Sequence, residues 1–261
     1  KMVAAARLRK AQESIETMRP YAFRLKDIIS QLAARADVTD HPLLAQRAPE
    51  RVRILVMTSD RGLCGGFNAN INRTTERYVA ANEAGHTDVI LDVIGRKGND
   101  YFKRRDIPMG RYFDEVLTNV NLETASDIAE KAISDFLEGE LDAVYVVYNE
   151  FKSAIAQEVV VEQLLPVVPA ETTDEAHLGE FIYEPSKEAV LDAVIPRDIT
   201  VQIYRMLLES VASEMGARMS AMDSATKNAG ELIDDLTLQY NRARQANITR
   251  ELMEIIGGAE A

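Results

Sequence analysis

The sequence contains one cysteine, three histidines and no tryptophan among its 261 residues. Because Cys64 has no second thiol to pair with, the chain cannot form an internal disulfide, which favours a reducing compartment. The histidines, His41, His86 and His177, all fall in polar loop contexts, so the sequence offers Cys64 no base that would activate it as a nucleophile. We therefore predict that Cys64 is a buried structural thiol.

Long apolar runs and metal-ligand patterns are also missing. No stretch approaches the ~20 residues that cross a bilayer, and nothing resembles a signal peptide. The net charge is −12, and the acidic residues 37–196 would repel nucleic acid, while the basic first helix lacks interleaved aromatic side chains. No pair of histidines or cysteines has the spacing of metal ligands. We predict no membrane span, nucleic-acid partner, metal or cofactor.

The first segment has the heptad pattern of a helix that packs against another helix. Apolar residues recur at alternating spacings of three and four, with charged residues between them. They are Leu8, Ala11, Ile15, Met18, Ala22, Leu25, Ile29, Leu32 and Ala36. Pro20 lies off this seam, and we expect it to kink the helix because it removes one backbone hydrogen bond and its ring clashes with a preceding carbonyl.

The middle of the chain, residues 51–169, has a different periodicity. Short β-branched runs such as RVRILVM and LDAVYVVYNEF alternate with helical stretches at residues 70–82, 97–105 and 123–137. Alternation of this kind is typical of an α/β layer with a partly parallel sheet. A polar connector follows at residues 170–184.

The last segment, residues 199–256, contains no proline and two glycines, Gly216 and Gly230. As one helix it would be roughly 85 Å long at ~1.5 Å per residue, which exceeds the width of a globular domain. Small residues in its middle would let a partner backbone approach closely. The simplest fold is an antiparallel coiled coil of the N- and C-terminal helices with an inserted Rossmann-like α/β domain. Two separate helical domains are the alternative.

The stretch SDRGLCGGFN, residues 59–68, carries three glycines directly after the first predicted strand. A P-loop would require lysine and a hydroxyl residue after its last glycine, but Phe67 and Asn68 stand there. The spacing also fails the dinucleotide-binding pattern, and Asp92 on a later strand is weak evidence for a ribose contact. We interpret the loop as a tight turn, with Asn68 or Asn70 capping the next helix; anion binding by Arg61 is the alternative.

Five stretches resemble one known family, in order along the whole chain. They are KMVAAARLRKAQ, SDRGLCGGFN, YEPS, ARMSAMDSATKNA and NRARQANITRELMEIIGGA. Together they resemble the gamma subunit of the bacterial-type proton-translocating ATP synthase. The resemblance implies a non-catalytic central rotor whose terminal helices turn within a ring of alpha and beta subunits. It also implies an α/β domain that binds the epsilon subunit and the membrane proton-translocating ring, at the cytoplasmic face of the bacterial inner membrane.

The resemblance further implies four segments and two sets of contact residues. The segments are an N-terminal coiled-coil helix at 1–45, an α/β domain at 51–170, a connector and foot at 171–198 and a C-terminal coiled-coil helix at 199–261. Contacts that couple the rotor to the beta subunits are implied for Arg218, Arg244, Gln245, Thr249 and Glu251. Contacts of the foot with the membrane ring are implied for Phe181, Tyr183 and Glu184.

Two other classes of function stay open beside the rotor. A Rossmann-like nucleotide enzyme would bind NAD or ATP saturably, although the residue chemistry above favours no catalytic site. A coiled-coil adaptor would bind a helical partner without rotating.

Overall fold

The computed structural model describes residues 2–33, 41–82, 85–168, 184 and 186–259. The helices and strands are α1 (Met2–Ala33), β1 (Arg51–Met57), α2 (Phe67–Ala81), β2 (Asp88–Ile94), α3 (Arg96–Phe102), β3 (Met109–Phe113), α4 (Leu122–Leu137), β4 (Ala143–Phe151), β5 (Gln157–Leu165) and α5 (Lys187–Ala259). The chain divides into two compact units, Lys1–Ser220 and Ala221–Ala261.

One five-stranded sheet forms the centre of the first unit, in the order β3-β2-β1-β4-β5. β1 pairs in parallel with β2 and β4, and β2 pairs in parallel with β3, whereas β5 is antiparallel to β4. The predicted α/β fold with a partly parallel sheet is therefore confirmed. β3 lies outside the strands predicted from the sequence, because this edge strand, MGRYF, has no buried residue and no apolar run.

The sheet is covered on both faces. Leu55 and Met57 of β1 pack in a cluster with residues of α4 and α5, while Ile54 and Val56 pack on the other face with residues of α2. Because alternate residues of a strand face opposite sides, a central parallel strand between two helical layers is apolar throughout. This arrangement explains the uninterrupted ILVM run of β1.

The helices α2 and α4 differ in how their first turns are capped. α4 is capped by Asn121, whose side chain accepts a hydrogen bond of 2.8 Å from the backbone N–H of Thr124. α2 follows the N-cap residue Gly66, which makes no side-chain capping bond. The predicted capping by Asn68 or Asn70 is wrong, because both residues lie within the first turn of α2.

α1 and α5 pack against each other antiparallel within the first unit, as predicted. Near the start of α1, Leu8 lies in a cluster with Met215, and further along α1, Leu25 lies in a cluster with Val201. Higher residue numbers in α1 therefore contact lower residue numbers in α5, which is the order of an antiparallel pair. The described seam residues of α1 are buried except Met18, which is partly buried; those that are buried are Leu8, Ala11, Ile15, Ala22, Leu25 and Ile29.

The remaining expectations for α1 concern its end and its proline. The side chain of Leu32 and all of Ala36 lie outside the described residues. Pro20 lies inside α1 and is exposed, as expected for a residue off the seam.

α5 begins at Lys187 and contains Pro196, so it starts before Ile199, where the sequence pattern places its start. Leu191 and Ile195, within the predicted connector, are buried in the same core as Ile199. Burial of these side chains stabilises the turn preceding Pro196, although proline removes a backbone donor there. The proline therefore does not mark the helix boundary.

The second unit is the C-terminal part of α5. Its side chains are exposed from Asp223 to Ile256, apolar ones included. The large apolar side chains exposed here are Leu232, Ile233, Leu236, Leu238, Tyr240, Ile248, Leu252, Met253, Ile255 and Ile256. Exposed apolar area on this scale is typical of a surface that binds a partner.

Candidate functional site

The glycine loop after β1 is a turn held by its own side chains. Leu63 and Gly65 have positive φ angles of 63° and 56°. Asn68 closes the turn, because its Oδ1 accepts a hydrogen bond of 2.9 Å from the backbone N–H of Ser59 and its Nδ2 donates to Cys64 Sγ at 3.2 Å. Cys64 is buried, and burial raises the pKa of its thiol. The predicted structural turn and structural thiol are therefore confirmed.

Arg218 of α5 contacts this loop through the loop's carbonyl oxygens. Its Nη2 donates to the backbone oxygens of Gly62 and Arg61 at 3.2 and 3.4 Å, and to Glu214 Oε1 at 2.6 Å. A phosphate-binding loop presents backbone N–H donors to an anion. Here the loop presents acceptors to a cation, which is the opposite polarity. We call Arg218, Glu214 and these two carbonyls the Arg218 junction.

The Arg218 junction lies at the point of the sheet where the strand order reverses. The loop follows the carboxyl end of β1, between β2 on one side and β4 on the other, where the strand order reverses. Open α/β sheets usually bind ligands in the crevice at this point. Glu214 is buried, and burial raises the pKa of its carboxyl while Arg218 opposes that rise. The ion pair thus stabilises a carboxylate that burial alone would disfavour.

The neighbouring loop after β2 is packed tightly against the end of β1. Gly98 donates its N–H to Thr58 Oγ1 at 2.8 Å, and a Cβ at Gly98 would lie 2.7 Å from that oxygen. Gly95 has a φ of +87°, and a Cβ there would lie 2.0 Å from Thr58 O. Glycine is required at Gly95 because the main chain of Thr58 is in direct contact there, and it is favoured at Gly98, within α3, because the side chains of Thr58 and Val93 leave no room for a Cβ.

Asp92 belongs to a buried ion cluster, in line with the rejection of the dinucleotide-binding pattern. Its Oδ1 accepts from the backbone N–H of Arg111 at 2.7 Å, and its Oδ2 lies 3.7 Å from Arg53 Nη1. Asp135 of α4 binds both arginines. Burial raises the pKa of Asp92, whereas the hydrogen bond from Arg111 lowers the pKa of Asp135. The cluster ties α4 to three strands of the sheet.

His86 is buried, which corrects its interpretation as a polar loop residue. Its Nδ1 lies 2.6 Å from the carbonyl oxygen of Pro49, and its ring packs near Tyr78 and Tyr145. His41 accepts a hydrogen bond from the N–H of Leu43, and the position of His177 lies outside the described residues. The sequence does not distinguish His86 from these two, because its neighbours along the chain are polar.

The other predicted contact residues are spread along the chain. Arg244, Gln245, Thr249 and Glu251 are all exposed on α5 in the second unit. Arg244 and Glu251 are seven residues apart and share one helix face, and Gln245 and Thr249, four apart, share another. Glu184 is exposed, whereas Phe181 and Tyr183 lie outside the described residues.

A second polar junction joins α1, α5 and the end of β4, at residues that no sequence motif singles out. Glu209 of α5 accepts hydrogen bonds from Arg19 at 3.2 and 3.3 Å and from the backbone N–H of Phe151 at 2.9 Å. A signal for Glu209 exists in the sequence: residues 199–216 hold only three charged residues, Arg205, Glu209 and Glu214, in a largely apolar stretch. A charged residue in such a stretch must be paired, although its partner cannot be read from the pattern.

Comparison with known proteins bears on the whole chain. The model of the ATP synthase family matches residues 1–261. An ATP synthase gamma chain of Geotalea daltonii is 50% identical over 261 residues, covering all of this chain and 91% of that protein. The chain belongs to the ATP synthase gamma chain family. A second gamma chain, from Anaeromyxobacter sp. strain Fw109-5, is 54% identical over 265 residues, with the same coverage.

Solved structures of ATP synthases contain chains that share the fold of this chain. One is the central stalk and c-ring of the Tetrahymena thermophila mitochondrial ATP synthase, with a TM-score of 0.68 and 27% identity, covering 86% of this chain and 96% of that one. Another is from the Euglena gracilis mitochondrial ATP synthase, with a TM-score of 0.64 and 21% identity, covering 98% and 95%. In the described part of this gamma chain, none of the helices combines the length and apolarity needed to cross a bilayer.

Proposed function

We propose that this chain is the central rotor subunit of a proton-translocating ATP synthase, coupling rotation of a membrane ring to conformational change at catalytic beta subunits. The observation that carries the proposal is the contrast along α5. Its first part is buried against α1 and the sheet, and its last part exposes apolar and polar side chains from Asp223 to Ile256. A helix built this way has one surface for its own domain and another for partners.

The chain itself contributes no catalytic residue in this proposal, and the nucleotide sites belong to its partners. The Arg218 junction supports this part, because Arg218 occupies the loop's carbonyl oxygens at the topological position where a nucleotide would bind. We therefore expect no saturable binding of NAD or ATP to the isolated chain at micromolar concentration. Isothermal titration calorimetry tests this, and stoichiometric binding would favour the nucleotide enzyme instead.

The partners follow from the proposed role. The alpha and beta subunits surround the C-terminal helix, and the epsilon subunit and the membrane ring bind the α/β domain and the foot at Phe181, Tyr183 and Glu184. The chain would then lie peripherally at the cytoplasmic face of the bacterial inner membrane. Co-purification with alpha and beta subunits, identified by mass spectrometry, distinguishes the rotor from a coiled-coil adaptor.

Steric contact contributes more than charge does in the proposed mechanism. Moving a two-state site from 1:99 to 99:1 requires ~5.5 kcal/mol of differential interaction. An exposed ion pair contributes only about 0–1 kcal/mol. Arg244 and Glu251 are both exposed, so neither supplies that difference alone. We infer that the asymmetric shape of the helices displaces one beta subunit at a time, and that Arg218, Arg244, Gln245, Thr249 and Glu251 adjust the angular registration.

Single-molecule rotation tests the proposal in a complex assembled with alpha and beta subunits of a bacterial relative. Arg244→Ala and Glu251→Ala should each reduce coupled turnover by at most about fivefold, the equivalent of ~1 kcal/mol, without stopping rotation. Lys227→Ala is the matched control, because Lys227 is also exposed on this part of α5 and its pair with Glu231 is loose, at 4.0 Å.

Two results would count against the proposal. If the wild-type chain assembled with alpha and beta subunits but did not rotate during hydrolysis, the rotor function would be wrong. If one polar substitution stopped rotation completely, the steric mechanism would be wrong. Shortening α5 by several turns should instead weaken the torque progressively.

A further inference from the structure

The junction at Phe151 joins three elements through one residue of the main chain. Phe151 is the last residue of β4. Its backbone N–H donates to Glu209 Oε2 at 2.9 Å, and its carbonyl oxygen accepts from Arg19 Nη2 at 3.0 Å. Arg19 and Glu209 also bind each other. The main chain of the strand end is thus held from both sides by an ion pair between α1 and α5.

This junction is buried on its Glu209 side and partly exposed at Arg19. The Glu209 side chain is 2% exposed and that of Arg19 is 35% exposed. The Phe151 ring packs with Leu8 and Met215 of the two helices. Charge-assisted hydrogen bonds inside such an environment are short-ranged and directional, so their geometry specifies a single relative position of the groups.

The apolar seam beside the junction specifies position less strongly. Three of the buried residues that α1 and α5 contribute to it are small: Ala11, Ala22 and Ala212. Hydrophobic attraction is non-directional, and at the three alanines the contact between the helices lacks a large side chain that would interlock. Two helices packed in this way resist separation better than they resist sliding along each other. Fixing a register of this kind is the best-attested specific role of buried polar groups.

α5 has attachments to the sheet that do not involve α1. Ser213 Oγ donates to the carbonyl oxygen of Asn149 at 3.1 Å. Arg205 donates to Tyr148 Oη at 3.1 Å and to Glu162 at 2.9 Å. Loss of the Arg19 interaction would therefore leave α5 attached to the sheet. α1 would keep its apolar seam and an exposed hydrogen bond, from Arg197 Nε to Tyr21 Oη at 3.1 Å.

We propose that Arg19, Glu209 and the Phe151 main chain form a register clamp, which fixes the longitudinal position of α1 on α5 and on the sheet and keeps it fixed under load. Resistance to load rests on the proposed rotor function. The register itself does not, because it is a property of the isolated chain.

Spin labels measure the register directly. We suggest Glu16→Cys on α1 and Ala193→Cys on α5, both exposed positions, in the full chain; Cys64 is kept because it is buried. Double electron–electron resonance should give one narrow distance in the parent chain. With Arg19→Met, a second population should appear, displaced by about 5 Å, the rise of one helical turn. Glu209→Gln should act in the same direction, since its amide no longer attracts Arg19.

Three further variants separate the clamp from a general loss of stability. Arg9→Met removes an exposed pair with Glu13 on the same helix, and Ser213→Ala removes an attachment of α5 to β4 without touching α1. Both should keep the parent distance, whatever they do to the melting temperature. Arg19→Lys keeps the charge, although one ammonium replaces the planar fork, and should restore most of the parent distance.

Resistance of the clamp to load is tested by measuring rotation of the assembled complex against increasing viscous load. The rate of the Arg19→Met complex should fall several-fold relative to the Arg9→Met complex, and the difference should grow with load. An unchanged distance in both Arg19→Met and Glu209→Gln would overturn the clamp, and an unchanged load dependence would overturn its resistance to load. A wild-type chain that never rotates would contradict the proposed function instead, and would leave the distance measurement to decide the clamp.

Discussion

α5 consists of two stretches with the same secondary structure and opposite surroundings. Residues 199–216 have no exposed side chain, and their neighbours are α1 and the sheet. Residues 223–256 are exposed on all sides of the helix, including ten large apolar side chains. The first stretch is specified by its own chain. In the second stretch, the chain itself does not bury the apolar side chains, so their positions are explained by contact with a partner.

The sharpest test of this difference introduces the same charge into each stretch. Leu207→Asp places a carboxylate at a fully buried position, and should cost more than ~4 kcal/mol of the free energy of unfolding, because the charge has no partner there. Leu236→Asp, at a position 53% exposed, should cost less than ~0.5 kcal/mol. Urea denaturation of the isolated chain, followed by circular dichroism, measures both. Equal losses of unfolding free energy would show that the two stretches do not differ in how far the chain itself buries them.

Removal of Arg218 should have the next largest effect. Arg218→Met leaves the buried carboxylate of Glu214 without its partner, and we expect a loss of about 3 kcal/mol at neutral pH. Lys227→Met is the control in the exposed stretch and should be nearly neutral.

The pH dependence of that loss identifies its cause. Burial raises the pKa of Glu214 in the folded chain, and loss of Arg218 should raise it further. The folded variant then binds a proton that the unfolded chain releases, so its stability rises as the pH falls toward the ordinary Glu value. The deficit of Arg218→Met should therefore shrink between pH 7 and pH 5. A deficit independent of pH would point to lost packing instead.

Gly216 and Gly230, one in each stretch of α5, should respond to substitution with opposite signs. A Cβ at Gly216 would lie 2.8 Å from the backbone oxygen of Ala154, whereas a Cβ at Gly230 would meet nothing within 4 Å. Gly216→Ala should destabilise the chain by about 1–3 kcal/mol, because a backbone must move. Gly230→Ala should stabilise its helix by up to ~1 kcal/mol, since only helix propensity changes. Thermal unfolding of both variants checks the signs, and a stabilising Gly216→Ala would disprove the close approach.

Periodic features of the fold could be predicted from the sequence. The alternating spacing of three and four along α1 identifies its buried face, and the β-branched runs identify four of the strands. These signals are local, because they depend on which side of a single element is apolar. The edge strand β3 gives no such signal, since neither of its faces is fully covered.

Contacts between distant segments could not be predicted. Arg218 and the carbonyl of Gly62 in the glycine loop are 156 positions apart, and nothing in either stretch identifies the other. The same holds for Asp92, which has the strand position expected of a ribose contact and is instead paired with arginines of two neighbouring strands. The sequence pattern misplaces the start of α5 because Pro196 is a strong local signal that the packing of Leu191 and Ile195 overrides.

The Arg218 junction lies where the strand order reverses, and this position affects how the α/β domain can respond to its surroundings. Other open α/β sheets usually bind a small ligand reversibly at this place, so that their conformation can depend on the ligand's concentration. In this chain Arg218, from its own longest helix, donates hydrogen bonds to the loop at that place. The carboxyl edge of the sheet is therefore joined to α5, so a displacement of this helix would be felt first at the place where other sheets of this type hold a ligand.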